Sequence, residues 1–162
     1  MKFIFSVILL MMLDSATGQA YKLRQFEDVT AFVANNNDTL YVINFWATWC
    51  KPCVEEIPSF EKLNEAYSGK PVKIILLSLD TEKQWEGSLV PFLQKNNLKT
   101  EVWVMPNKKP VDWIDQINPK WQGSIPATFI FNNNKNISIF EEHPFTYEEL
   151  SNILIQHNYL TN

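Results

Sequence analysis

The segment Leu40-Tyr41-Val42-Ile43-Asn44-Phe45-Trp46 is dominated by β-branched and aromatic residues, and it runs straight into Ala47-Thr48-Trp49-Cys50-Lys51-Pro52-Cys53. The first part reads as a buried strand. Beyond the cysteines, Ile57, Phe60, Leu63 and Tyr67 recur at helical spacing with polar residues between them. A strand that passes into C-x-x-C and then into an amphipathic helix constrains the fold more than any other feature of the chain. It sets a dithiol at the start of a helix, beside the end of a central strand. Cys50 and Cys53 are the only cysteines, so the pair competes with no disulfide framework.

That position has chemical consequences. The first N–H groups of a helix lack intrahelical partners, and together with the macrodipole they stabilise negative charge. A cysteine there is expected to have a depressed pKa, and the thiolate is the attacking species. Cys50 is the candidate exposed nucleophile, and Cys53, one turn further in, the candidate resolving thiol. Pro52 suits the first turn because its missing N–H costs little there. Lys51 adds a positive charge, although screening keeps the effect of an exposed lysine small.

The rest of the chain alternates strands and helices. Tyr21 to Asn35, with Phe26, Val29 and Phe32, predicts an opening helix, and Val72 to Leu79 a second central strand. Trp85, Leu89, Phe92 and Leu93 share one helical face, with Pro91 restricting where that helix begins. Glu101 to Val104 predicts a short strand and Val111 to Ile117 a short helix. Ala127 to Phe131 and Ile137 to Glu141 form a hairpin across the polar turn Asn132 to Asn136. Thr146 and Glu149 make a capping box, followed by Leu150, Ile153 and Leu154 on one face of a terminal helix. This order predicts an α/β sandwich with a mixed central β-sheet flanked by helices. No linker divides it, so residues 21–162 are expected to form one domain.

Residues 1–20 are read separately. Lys2, the apolar run Phe3 to Leu13 and the small residues among Ala16, Gly18 and Ala20 predict a signal peptide cleaved near 18–20. The expectation is therefore an exported, periplasmic protein, or a membrane-tethered one if the segment is retained. No later stretch approaches the roughly 20 apolar residues of a membrane span. The net charge of −4 gives no support to nucleic-acid binding.

The segment Phe45 to Cys53, followed by Glu56 and Pro58, resembles the active site of the thioredoxin superfamily, and most of all the exported TlpA/ResA-like thiol–disulfide oxidoreductases. Far downstream, Gly123-Ser124-Ile125-Pro126-Ala127-Thr128-Phe129 resembles the family's cis-proline loop. The resemblance covers roughly Phe26 to Tyr159. It implies a thioredoxin-like three-layer sandwich with an insertion, between Asp80 and Ile125, before the cis-Pro strand. It also implies a redox-active Cys50–Cys53 disulfide with no bound cofactor and no metal. Pro126 would be the cis-proline facing the cysteines, leaving the backbone of Ile125 free to pair with an extended substrate. Trp49, Lys51, Pro52 and Ile125 would contact substrate, and Pro58 would kink the helix. Glu56 would relay the proton of Cys53. Asn44 stands where thioredoxins carry a buried aspartate, and it cannot accept that proton. Implied partners are protein thiols and disulfides, including apocytochrome c or other exported proteins, with an upstream membrane electron donor.

A C-x-x-C also resembles half a zinc site. The alternative is a thioredoxin-fold metal-binding or metallochaperone domain, for which only His143 and His157 and the carboxylates remain as further ligands. The threonine-x-x-cysteine pocket of a peroxidase is not present in the motif. Spacing does not set the direction of electron flow, because reduction potential depends on relative thiolate stability.

Overall fold

The computed structural model describes residues 21–34, 37–105 and 112–159. The expected signal peptide at 1–20, Asn35 of the expected opening helix and Val111 of the expected short helix lie outside them. Six strands form one sheet: β1 (Lys22–Leu23), β2 (Leu40–Trp46), β3 (Val72–Ser78), β4 (Glu101–Val104), β5 (Ala127–Asn132) and β6 (Ile137–Glu141). Their order is β1-β4-β3-β2-β5-β6. The first four are parallel, while β5 is antiparallel to β2 and β6 to β5. The helices are α1 (Phe26–Val33), α2 (Lys51–Ala66), α3 (Glu82–Gln84), α4 (Val90–Asn96), α5 (Ile114–Ile117) and α6 (Tyr147–Gln156). This is the expected mixed sheet between two helical layers.

Alternation along the strands sorts the core into two faces. Val42, Trp46, Ile74, Leu76, Val102 and Ile130 pack with Ile57, Phe60 and Leu63 of α2, Leu93 of α4, and Leu150 and Leu154 of α6. Tyr41, Ile43, Phe45, Ile75, Leu77 and Trp103 turn to the other face, against Val29 of α1 and against Trp113 and Trp121. The same period of two puts Asn44 on the α2 side, with Val42 and Trp46. A polar residue in a strand that is buried at all seven positions needs partners there.

Several boundaries differ from the sequence reading: the short helix is Ile114–Ile117, β3 ends at Ser78 rather than Leu79, and three further differences have a clear physical reason. The opening segment begins as strand rather than helix: Lys22 and Leu23 pair with Trp103 and Val104, and the helix starts only after Gln25. A strand of two residues is too short to show a period. Asn132 belongs to β5 rather than to the turn. It is buried, and its Nδ2 donates to the carbonyls of Asn37 and Thr39 at 3.2 and 2.9 Å and to the Tyr159 hydroxyl at 2.9 Å. Pro91 sits at the start of α4, directly after a wide π-helical turn at Trp85–Leu89. Proline has no N–H to give and clashes with the carbonyl four residues back, so a widened turn before it keeps the helix continuous.

The capping box of α6 forms as read. Thr146 Oγ1 accepts from Glu149 N at 3.2 Å, and the Glu149 carboxylate accepts from Thr146 N at 2.8 Å. Thr146→Ala is expected to cost about 1 kcal/mol. Urea unfolding at fixed pH checks it through a lowered midpoint at unchanged m.

Candidate active site

The dithiol stands where β2 hands over to α2. Ala47 to Trp49 turn the chain, and Cys50 caps the helix with extended backbone, its Sγ 3.4 Å from the Cys53 N–H. Cys50 and Cys53 are joined in a disulfide with Cα atoms 5.3 Å apart. Cys53 is fully buried, and Cys50 is only 6% exposed, far less than a free surface nucleophile. The backbone carbonyl of Ile125 lies 3.8 Å from Cys50 Sγ and helps to cover it.

The other predicted residues fall around this pair. Trp49 is 60% exposed beside it. Pro52 is exposed in the first turn of α2, and Lys51 reaches out to Glu55 at 3.7 Å in a solvated i,i+4 pair of little energetic weight. Pro58 lies inside α2, where it has no N–H for the carbonyl of Val54. The Ile125–Pro126 peptide is cis, with Pro126 buried and Ile125 half-buried. The loop is pinned from behind: Trp121 Nε1 donates to the Ser124 carbonyl at 2.8 Å, and the Ser124 hydroxyl meets the Glu142 carboxylate. Gly123 is required at its own position, with φ +88° and the Ile114 side chain 3.3 Å from where a Cβ would stand.

Glu56 is on the same face of α2 as Cys53, three residues on. It is only 4% exposed. Its Oε1 accepts from Asn44 Nδ2 and its Oε2 from the Phe145 N–H, both at 2.7 Å. Burial pushes its pKa up to about 7, although the bonds from Phe145 and Asn44 and the nearby His143 all favour the charged form. Asn44 Nδ2 donates also to Thr128 Oγ1 at 3.1 Å.

A second buried carboxylate holds the approach to the cysteines. Asp80, just beyond β3, accepts from Thr48 N at 3.0 Å, Thr48 Oγ1 at 2.6 Å and Ser78 Oγ at 2.7 Å. Trp85 Nε1 donates to its carbonyl at 2.8 Å. Sequence reasoning missed Asp80, Thr48 and Thr128. An acidic residue at the C-terminal end of a parallel strand, where α/β sheets place their sites, is the signal that would have drawn attention to Asp80.

His143 is half-exposed, 3.9 Å from Glu141, and His157 caps the end of α6. Among the described residues no three His, Cys, Asp or Glu side chains gather so as to hold a metal ion, and no helix is long and apolar enough to cross a membrane.

Residues 12–139 match the AhpC/TSA family. The chain belongs to that family. Over 109 residues it is 27% identical to sporulation thiol-disulfide oxidoreductase A of Bacillus subtilis, covering 67% of this chain and 62% of that protein. Over 95 residues it is 30% identical to thiol-disulfide oxidoreductase ResA of Bacillus cereus, covering 59% and 50%. The chain thus spans about half the length of the curated relatives it matches. A thioredoxin-related protein from Neisseria meningitidis superposes with a TM-score of 0.65 at 19% identity, over 78% of this chain and 90% of that one. This AhpC/TSA family member therefore has the thioredoxin fold expected from its two motifs. The segment between Asp80 and Ile125 carries α3, α4, β4 and α5 ahead of the cis-proline strand.

Proposed function

We propose that the chain is a thiol–disulfide oxidoreductase that reduces disulfides of exported proteins through Cys50 and Cys53, with no bound cofactor. The observation that carries this reading is the Cys50–Cys53 disulfide at the start of α2, facing the cis Ile125–Pro126 peptide. The relatives named as thiol-disulfide oxidoreductases support it. The apolar run after Lys2 supports export.

In the reduced protein, the Cys50 thiolate attacks one sulfur of a substrate disulfide. The substrate S–S bond breaks, a mixed disulfide forms on Cys50, and the other substrate sulfur leaves as a thiolate that takes up a proton. Cys53 then loses its proton and attacks Cys50 Sγ. This re-forms the Cys50–Cys53 bond and frees the second substrate thiol, so two electrons pass from the dithiol to the substrate. Glu56 serves as acceptor for the Cys53 proton, being buried, near Cys53 on its helix and balanced between its two forms. An extended substrate strand pairs with the backbone at Ile125, beside exposed Trp49, with Lys51 and Pro52 along the rim. The partners are protein thiols, with an upstream membrane electron donor restoring the dithiol.

Cys53→Ala is expected to accumulate substrates as mixed disulfides on Cys50, because resolution is blocked. Non-reducing gels followed by mass spectrometry identify them. Absence of adducts in cells that accumulate them with a control dithiol protein argues against substrate exchange. Equilibration with glutathione buffers reads direction: a potential below that of glutathione supports the reductase, and one near the strong oxidants overturns it.

A further inference from the structure

We propose that Asn44 is a two-way hydrogen-bond partner for Glu56: its amide donates to the carboxylate and, turned over by half a rotation, accepts from the protonated acid, with the Thr128 hydroxyl reversing in step. This rests on the reading of Glu56 as the proton acceptor for Cys53 and assigns Asn44 a positioning role within it.

The geometry gives each group a defined task. Asn44 and Thr128 are 0% and 1% exposed. Asn44 Nδ2 serves Glu56 Oε1 and Thr128 Oγ1, while its Oδ1 is buried and accepts from no described group. Glu56 Oε2 is held by the Phe145 N–H, a backbone donor that cannot become an acceptor. Oε2 therefore remains an acceptor in both states of Glu56, and an incoming proton belongs on Oε1, the oxygen that faces Asn44. With that proton present, Nδ2 would point donor to donor. Turning the amide exchanges its ends. Oδ1 then accepts from Glu56 Oε1–H and from Thr128 Oγ1–H, a hydroxyl being able to give or receive.

With the carboxylate, Oδ1 is left without a partner, and with the acid Nδ2 takes that place with its two N–H. A buried polar atom without a partner is costly, and either state leaves one such heavy atom of Asn44 at this place. An aspartate at position 44 would set two carboxylates against each other when Glu56 is charged. A hydrocarbon there would serve neither state. The near-neutral pKa of Glu56 agrees with a site built for both.

The groups facing Glu56 are few. From α2 comes Cys53, from β2 and β5 the neutral Asn44 and Thr128, and from the β6–α6 connection the Phe145 N–H and His143, whose positive form favours the carboxylate. Glu148 and Glu149 at the start of α6 are at exposed positions, Glu148 paired with Lys62 at 3.7 Å.

The test uses the oxidised full chain, labelled with nitrogen-15 on asparagine and carbon-13 on glutamate carboxyls, through a pH titration by NMR. The Asn44 amide proton signals are expected to move with the same midpoint as the Glu56 carboxyl, and to become independent of pH in Glu56→Gln. Asn44→Ala is expected to move the Glu56 midpoint by less than about half a pH unit, because the bond to each form of the carboxyl is lost together. Amide signals that stay flat while Glu56 titrates overturn the proposal, as does a midpoint raised by a unit or more in Asn44→Ala, which would show that the amide serves the carboxylate alone. The wild-type titration stands by itself if that variant does not fold. Exchange activity of Glu56→Gln separates the two ideas. Full activity with a coupled amide removes the proton-relay reading and leaves the hydrogen-bond switch. Lost activity with a flat amide does the reverse.

Discussion

Cys50→Ser is expected to lower kcat/KM for reduction of a disulfide peptide by at least about three orders of magnitude. A serine hydroxyl is not ionised at neutral pH and cannot carry the mixed disulfide on which the second step depends. Cys53 cannot take over the attack, because it is fully buried behind Cys50 and the helix start. The variant keeps its fold for a local reason. Residue 50 caps α2, and serine is among the most favourable residues at that position. Circular dichroism should therefore be unchanged while the rate collapses. Stopped-flow reduction of a fluorescent peptide disulfide measures it, and retention of a tenth of the wild-type rate would sink the assignment of Cys50 as nucleophile.

The oxidised wild-type protein should lose about 3 kcal/mol of stability between pH 4.5 and pH 7, and Glu56→Gln should not. In the folded protein the Glu56 pKa is raised from its ordinary 4.5 to about 7. Between those values the native state holds a proton that the unfolded chain has released. Stability then falls as pH rises, because ionisation of a buried carboxyl opposes folding. The contribution is complete below the unfolded value and gone above the folded one. A shift of this size corresponds to about 3 kcal/mol at about 1.4 kcal/mol per unit, with no discount for solvent since Glu56 is 4% exposed. Glutamine has no proton to lose, can accept from the Phe145 N–H and can meet the Asn44 amide, so its curve should be level. Urea unfolding at half-unit pH steps tests this. A wild-type curve as level as the variant's would show that Glu56 does not titrate in that window.

Much of the fold was legible because its signals are local. Leu40 to Trp46 and Val72 to Ser78 are apolar runs of strand length, and α6 announces itself with Thr146 and Glu149. What failed was short or depended on partners. The strand at Lys22–Leu23 exists through pairing with β4, and Asn132 pairs with Ile137 while its buried amide is satisfied by the carbonyls of Asn37 and Thr39, more than 90 residues away. The site divides along the same line. Cys50, Cys53 and Pro126 stand in motifs whose order reveals them. Asp80 stands outside both motifs and Thr48, though inside the first, shows no task of its own there, since residue type does not say that a carboxylate after β3 will hold the turn before the cysteines.

By itself the sequence determined that a dithiol begins a helix after a buried strand, because that requires only residue type and period over a few turns of chain. It also pointed to Glu56 by its place after the motif. Only the tertiary structure decided what surrounds that carboxyl: Asn44 from 12 residues before it, Thr128 beside Asn44 from 84 residues further on, and the Phe145 N–H from 89 residues after Glu56. The pairing of β2 with β5 and the docking of the α6 start onto α2 bring them together. Such bonds depend on how distant elements pack, and burial then makes each of them matter, since no water is left to replace a missing partner.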